Sequence, residues 1–514
     1  MVKQRINHKW LYMNKFTIIF IVLLFMSMVN AYSQTSEFKL TASDGAEADH
    51  FGESVSIHGD YAIVGARDDD DNGTKSGSAY IFKRNGANWV QEVKLLPFDG
   101  AEFDAFGFSV SISGEYAIVG AFGDDDNGST SGSAYVFKRS GTSWLQEAKL
   151  LPSDGAIDDR FGISVSISGD FVVVGAYHDD DNDTDAGSAY IFKRSGTSWL
   201  QEAKLLPSEG DSLDWFGKYV SISGDYVIVG VALDDDNGFN SGSAYVFKRS
   251  GTTWVQEAKL LPSDGEAYDN FGGSVSISGD YAIIGAHNGD DNGIQSGSAY
   301  VFKRSGTIWS EEAKLLASDG FDYDIFGTSV SIFDEYAVVG AYGDDDSGSY
   351  SGSAYIFKRS GTSWVQQVKL LASDGFDNDL FGVSVSISSD YTLVGARSDD
   401  DNGTSSGSAY VYSGFIVSVD EERVEIPTEF ALSQNYPNPF NPETVIEYII
   451  PNLSKVNLSV YNLKGEAVAI LINGKITAGY HKVIWDASNF ASGIYFYRLQ
   501  ANDFVLTRKM VLLK

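Results

Sequence analysis

The chain has no cysteine in its 514 residues. This rules out a disulfide framework and a lipid-anchored cysteine, so its domains are held by packing alone. Proline is scarce, 9 residues against 54 glycines, and five of the nine fall between Pro427 and Pro451, which marks a change of domain there. Basic charge is short as well. Asp plus Glu number 70 against 37 Lys plus Arg, a net charge of −33, which repels a phosphate backbone and excludes nucleic acid as a partner. Long apolar runs are missing beyond the stretch from Phe16 to Met26, which is too short for a stable membrane span. It follows a basic start and precedes Val29-Asn30-Ala31, so residues 1–34 read as a signal peptide cut near Ala31, with Met13 as an alternative start.

What the chain does have is a repeat. Phe-Gly recurs at Phe51, Phe106, Phe161, Phe216, Phe271, Phe326 and Phe381, always 55 residues apart. A fixed period longer than one hairpin marks a repeat architecture. The second copy carries four strand-like runs, SVSIS, EYAIVGA, SAYVFKR and WLQEAKLL, separated by Ser113-Gly114, an Asp/Asn/Gly cluster and Ser140-Gly141. Four antiparallel strands repeated seven times predict a seven-bladed β-propeller over residues 35–414. Side-chain size agrees, because the first two runs carry Ser and Gly120-Ala121 while the fourth carries Trp144, Leu150 and Leu151, as a blade tapering toward an axis requires. A parallel β-helix is the alternative, but its coils are much shorter than 55 residues. Six Trp-bearing outer strands serve seven units. The segment Ser36 to Leu40 aligns with Gln91 to Leu95 and supplies the seventh, closing the ring.

These residues resemble the FG-GAP repeat of integrin α-subunit propellers, in which FG and SVSIS are followed by YAIVGA or a close variant. Only Val231, in VGV, breaks the GA pair. The calcium loop of integrin-like repeats lies between the first two strands; here that place holds only Ser113-Gly114-Glu115 or its equivalents, too short to wrap a cation that takes six to eight oxygens. The acidic residues lie instead between the second and third strands. Asp68, Asp70, Asn72 and Gly73 match the opening of a calcium loop, and Asp125, Asn127, Asp180, Asn182, Asp235, Asn237, Asp290, Asn292, Asp345, Asp400 and Asn402 are their counterparts. None of the copies supplies a distal bidentate Glu, and Gly123 and Gly289 interrupt two of them. Two readings stand: calcium ligands, or Asp and Asn capping a turn through backbone N–H groups.

Strand polarity places the four-to-one and two-to-three connections on one face, giving six carboxylates per blade in copy two. The opposite face receives the turn beside Lys138-Arg139. The acidic face also varies most between copies. The residue after GA or GV runs Arg67, Phe122, Tyr177, Ala232, His287, Tyr342, Arg397, and Trp215, Phe239 and Tyr350 stand at other loop positions. Tyr177, Trp215, Phe239, Tyr342 and Tyr350 are therefore the candidate ligand-binding residues. Catalysis requires a constellation that departs from the repeat. The six histidines, His8, His50, His58, His178, His287 and His481, are scattered over signal, turn, loop and C-terminal positions. The expectation is a binding or adhesion protein with an extracellular protein or glycan ligand. A carbohydrate-binding lectin is the alternative, and a propeller enzyme is the less favoured one.

After Tyr412 the period stops, and residues 415–430 read as a linker. NYPNPFNPETVIEYIIP then opens a second domain over residues 431–514, where alternating Val456, Leu458 and Val460 argue half-buried strands of a small Ig-like β-sandwich. The YPNPFNP entry, SGIYFYRL and terminal KMVLL resemble the type IX secretion sorting domain. That resemblance implies recognition by the type IX machinery, export across a Gram-negative outer membrane to the medium or cell surface, and removal of the domain between Ser418 and Thr428.

Overall fold

The computed structural model describes residues 36–414 and 430–513, apart from residues 436, 452, 453, 477, 478, 502 and 503. The expected signal peptide and the cleavage segment lie outside the described residues. The chain divides into two compact units between Val417 and Ser418. Every regular element among the described residues is a β-strand.

The first unit is seven four-stranded antiparallel sheets in sequential strand order. The first blade runs Phe51–His58, Tyr61–Ala66, Ser78–Asn85 and Asn88–Leu95, and each inner strand packs on the next around a closed ring. The last blade joins Phe381–Ser388, Tyr391–Ala396 and Ser408–Ser413 to Ser36–Leu40 from the other end of the unit. Glu37 pairs with Tyr412 and Leu40 with Ala409, so the third strand's edge is covered as the repeat count requires.

The Phe-Gly motif is explained by two close approaches. Phe106 is fully buried and meets Tyr135 and Phe137 edge to face at 5.5 and 6.0 Å. Gly107 has φ +95, and a Cβ there would lie 2.1 Å from the Ser78 carbonyl of the preceding blade. The glycine of the GA pair faces the other side of the same seam, since a Cβ on Gly65 would lie 1.8 Å from the Gly107 carbonyl. Backbone meets backbone there, and only glycine fits.

The inner-strand serines do more than save space. Ser111 Oγ accepts the Ile167 N–H at 3.2 Å and Ser56 Oγ accepts that of Ile112 at 3.1 Å. The same bond recurs from Ser166, Ser221, Ser276 and Ser331, and Ser386 completes the circle on Ile57. Inner-strand N–H groups that face no fifth strand are thereby satisfied by the neighbouring blade.

The second unit stacks a three-stranded sheet built on Glu443–Ile450 and Gly479–Asp486 with a four-stranded sheet built on Ser454–Tyr461 and Gly493–Ala501. Val456, Leu458, Val460, Trp485 and Tyr497 fill the core. The proline-rich entry is tied to the last strand, because the Phe440 N–H donates to Val511 O at 3.0 Å and Leu513 N–H donates back to Phe440 O at 2.9 Å.

Candidate functional site

The loops between second and third strands are organised around a lysine. Asp124, 3% exposed, accepts bonds from the Asp126 N–H at 3.1 Å, the Tyr135 hydroxyl at 2.9 Å and Lys149 Nζ at 2.8 Å. Lys149 reaches up from the outer strand and also meets Asp126 at 2.6 Å and Asp99, of the preceding connection, at 2.9 Å. One ammonium therefore sits among three carboxylates. Burial opposes the charge on Lys149, but the bonds to Asp124, Asp126 and Asp99 outweigh it and raise its pKa. Lys94, Lys204, Lys259 and Lys369 occupy the same place in their blades, and Lys39 of the closing strand lies 2.8, 2.9 and 2.6 Å from Asp374, Asp399 and Asp401. In the fifth loop Gly289 replaces the buried Asp, and Lys314 keeps Asp264 and Asp291.

The candidate calcium ligands lie one residue out of phase with this cluster. Asp70, Asp125, Asp180, Asp235, Asp290, Asp345 and Asp400 each accept the backbone N–H of the residue five places on, at 2.7–2.8 Å. The N–H groups of Asn72, Asn127, Asn237, Asn292 and Asn402 donate to a loop serine; beside Asn182 that serine is replaced by Ala186. Asp68 meets His50 Nδ1 at 2.8 Å. The carboxylates brought together are Asp374, Asp399 and Asp401 and their counterparts, and in each set a lysine ammonium is the bound cation.

A second layer of carboxylates lies beneath. Asp49, Asp104, Asp159, Asp214, Asp324 and Asp379 are pushed up to about 6, chiefly by burial, with a backbone N–H opposing and mostly with a neighbouring loop Asp adding to it.

At the centre of this face the repeat breaks down. The residue after each Phe-Gly is Glu53, Phe108, Ile163, Lys218, Gly273, Thr328 or Val383, seven different side chains at one structural position. Six of them (Glu53, Phe108, Ile163, Lys218, Thr328, Val383), with Tyr342 and Arg397, help line an axial cavity of about 390 Å³ to which all seven blades contribute. Glu53 is shared by Arg397 at 3.0 Å and Arg67 at 3.5 Å. Lys218 Nζ lies over the Trp215 ring at 4.4 Å, with Tyr219 and Tyr177 at 5.7 and 5.8 Å. Gly273 makes room for its neighbour, since a Cβ there would meet His287 Nδ1 at 2.5 Å. Burial, with Lys218 adding, pushes the His287 imidazole down to about 4.

With that geometry in place, comparison with known proteins is decisive for the family. Residues 35–82, 89–137, 144–192, 199–247, 254–302, 309–357 and 364–412 each match the FG-GAP repeat. The chain belongs to the FG-GAP repeat family. Each FG-GAP segment begins on an outer strand and ends in the third strand of the next blade, the phase that makes Ser36–Leu40 the missing strand of the ring. Residues 434–513 match a secretion system C-terminal sorting domain, so this FG-GAP protein is a type IX cargo, exported to the medium or the outer surface. No curated protein matches the chain. Among solved structures, a fungal alcohol oxidase of the AA5 family in complex with copper aligns at 10% identity over 94% of this chain and 100% of its own, with a TM-score of 0.45. PorZ, a surface component of the type-IX secretion system of Porphyromonas gingivalis, aligns at 11% identity over 90% and 75%, with a TM-score of 0.25.

The five aromatic candidates of this FG-GAP propeller fall into three groups. Tyr177 and Trp215 meet edge to face at 5.5 Å, with the Tyr177 hydroxyl bonded by Arg160. Tyr342 and Tyr350 line a cleft with Asn378, Leu380 and Ser405. Phe239 stacks edge to face on Tyr268 at 5.5 Å, apart from both. Sequence reasoning missed Lys218 and the lysine of each acidic cluster. The signal for the latter was the constant 25-residue separation of Lys149 from Asp124. The opposite face is also less basic than its Lys-Arg pairs imply. Arg84, Arg139, Arg194, Arg249 and Arg304 pair with Asp60, Glu115, Asp170, Asp225 and Asp280 of the adjacent one-to-two turns.

Proposed function

We propose that this protein is a secreted or surface-displayed binding propeller whose extracellular protein or glycan ligand seats on the acidic loop face, over the axial cavity. One observation carries the reading: the blades are near copies of one another, yet the position after Phe-Gly, which lines the cavity in six blades, holds a different residue in each of the seven. A scaffold that repeats everywhere except around one concavity supports a recognition site there. The aromatic side chains around it give large contact area at low entropy cost.

Binding fits the residues better than catalysis. His50 is engaged by Asp68 and His178 by Asp158, and His287 packs against Gly273. These three imidazoles face carboxylates or glycine rather than a Ser or Thr hydroxyl, the pairing that activates a nucleophile. We keep the carbohydrate reading beside the protein one because the Tyr342–Tyr350 cleft presents two rings beside amide and hydroxyl groups.

The experiment is a binding screen of the propeller, residues 36–414, against glycan arrays and extracellular protein preparations, with Trp215→Ala and Tyr350→Ala variants in parallel. Ligand capture lost in either variant at unchanged melting temperature supports the loop face. Capture by both variants equal to the parent refutes it.

A further inference from the structure

Every other lysine between Ser36 and Gly414 has a carboxylate within 4.0 Å. Lys218 does not. Its ammonium lies in the wall of the axial cavity against three aromatic rings, and its nearest charged influence is another cation, Arg160. Burial, with Arg160 adding, lowers its pKa. A half-buried ammonium held only by ring faces is under-neutralised, because cation–π attraction replaces part of its hydration and supplies no counter-charge. Across the cavity Arg397 pairs with Glu53, and Arg67, outside the lining, divides itself between Glu53 and Asp68. Among the charged residues of the lining Lys218 and Arg397 outnumber Glu53, so the cavity is a positive well in the middle of a face whose rim is dense in Asp.

That charge pattern selects a ligand. An anionic group is drawn to Lys218, while a polyanion is repelled by the surrounding carboxylates. The fit is one negative charge carried on an otherwise neutral body small enough for about 390 Å³. Phe108, Tyr342 and Tyr219 line the same cavity beside the hydroxyls of Thr328 and Ser329, a mixture of ring faces and hydroxyl partners that suits a pyranose. Resting on the binding reading above, we propose that the axial cavity takes a single acidic sugar residue, its carboxylate on Lys218 and its ring against the aromatic wall, as the terminal unit of an otherwise neutral glycan.

The test uses the 36–414 propeller, which forms a compact unit by itself, with D-glucuronic acid, D-glucose and N-acetylaspartate as probes, read by isothermal titration. Lys218→Met keeps the stem over Trp215 and removes the charge; Lys218→Arg keeps the charge. Glucuronate should bind at least about tenfold tighter than glucose, a difference of about 1.4 kcal/mol. Lys218→Met should abolish that preference without lowering the melting temperature, and Lys218→Arg should retain most of it. Equal binding of glucuronate and glucose, or a preference that survives Lys218→Met, overturns the proposal. So does saturation by N-acetylaspartate with no response to glucuronate, which assigns the cavity to an acidic peptide. Failure with all three probes while Trp215-dependent capture persists in the screen overturns the sugar assignment and leaves the binding face standing.

Discussion

Replacing Lys39 by Met tests whether a lysine fills the place of a cation in the acidic loops. The substitution keeps an apolar stem on the closing strand and removes the ammonium from between Asp374, Asp399 and Asp401. Breaking a fully buried pair costs about 3–5 kcal/mol. Here only Asp399 is deeply buried, at 4% exposure, while Asp374 and Asp401 are about half exposed and lose little through screening. The expected loss is therefore about 2–4 kcal/mol. With about 2.1 cal/mol/K of unfolding entropy per residue over roughly 380 residues, 1 kcal/mol shifts the melting temperature by about 1.3 °C, so calorimetry should show a fall of about 3–5 °C.

The variant also leaves three carboxylates whose oxygens lie within 4.8 Å of one another, a set that suits a divalent cation once the ammonium is gone. With a Kd of about 1 mM, typical of extracellular calcium sites, calcium at about 10 mM returns about 1.4 kcal/mol by mass action, or about 2 °C. The parent, with the ammonium in place, should gain less. A parent stabilised by calcium as strongly as Lys39→Met, and more strongly than by magnesium, would refute this reasoning and favour calcium bound alongside the lysines. An unchanged melting temperature in the variant would refute the assigned energy.

Removing Ser36 to Leu40 exposes the edge of Ser408–Ser413, so hydrogen exchange at Ala409 to Val411 should accelerate before that of the middle blades; unchanged protection would exclude the closure. Acidification from about pH 7 to about pH 5 should raise stability, because six carboxylates have folded pKa values raised to about 6. Their contribution is complete below the unfolded value of about 3.9 and is lost as pH rises through about 6. Below about pH 4 the trend should reverse as Asp44, Asp154, Asp264, Asp319 and Asp374, whose values are depressed because bonds to lysine outweigh burial, take up protons. A melting temperature that falls steadily from pH 7 to pH 5 would contradict this. Ser221→Ala strands the Ile277 N–H at a blade seam and should cost about 1–2 kcal/mol, read as a shift of the denaturation midpoint at constant slope.

The blade count, the strand order and the closing strand were legible because they depend on spacing, and a 55-residue period without insertion leaves one arrangement of four strands per unit. The acidic loops were legible only in part, and the reason is geometric. Local spacing argues from neighbours such as Asp125 and Asn127, which in the fold bond their own loop's backbone. The carboxylates that share a cation come from two places: Asp124 and Asp126 in one loop, and Asp99 in the preceding connection, 50 residues before Lys149. No window over the sequence holds them together. Lys149 itself reads as an ordinary exposed residue of an alternating strand, because a strand's period says which face a side chain takes and not how far its stem reaches. Lys218 was hidden for the opposite reason. It occurs once, so the repeat that exposed everything else treated it as drift, and only the closing of seven blades around an axis shows that six unrelated side chains at one repeat position face one another across a single cavity.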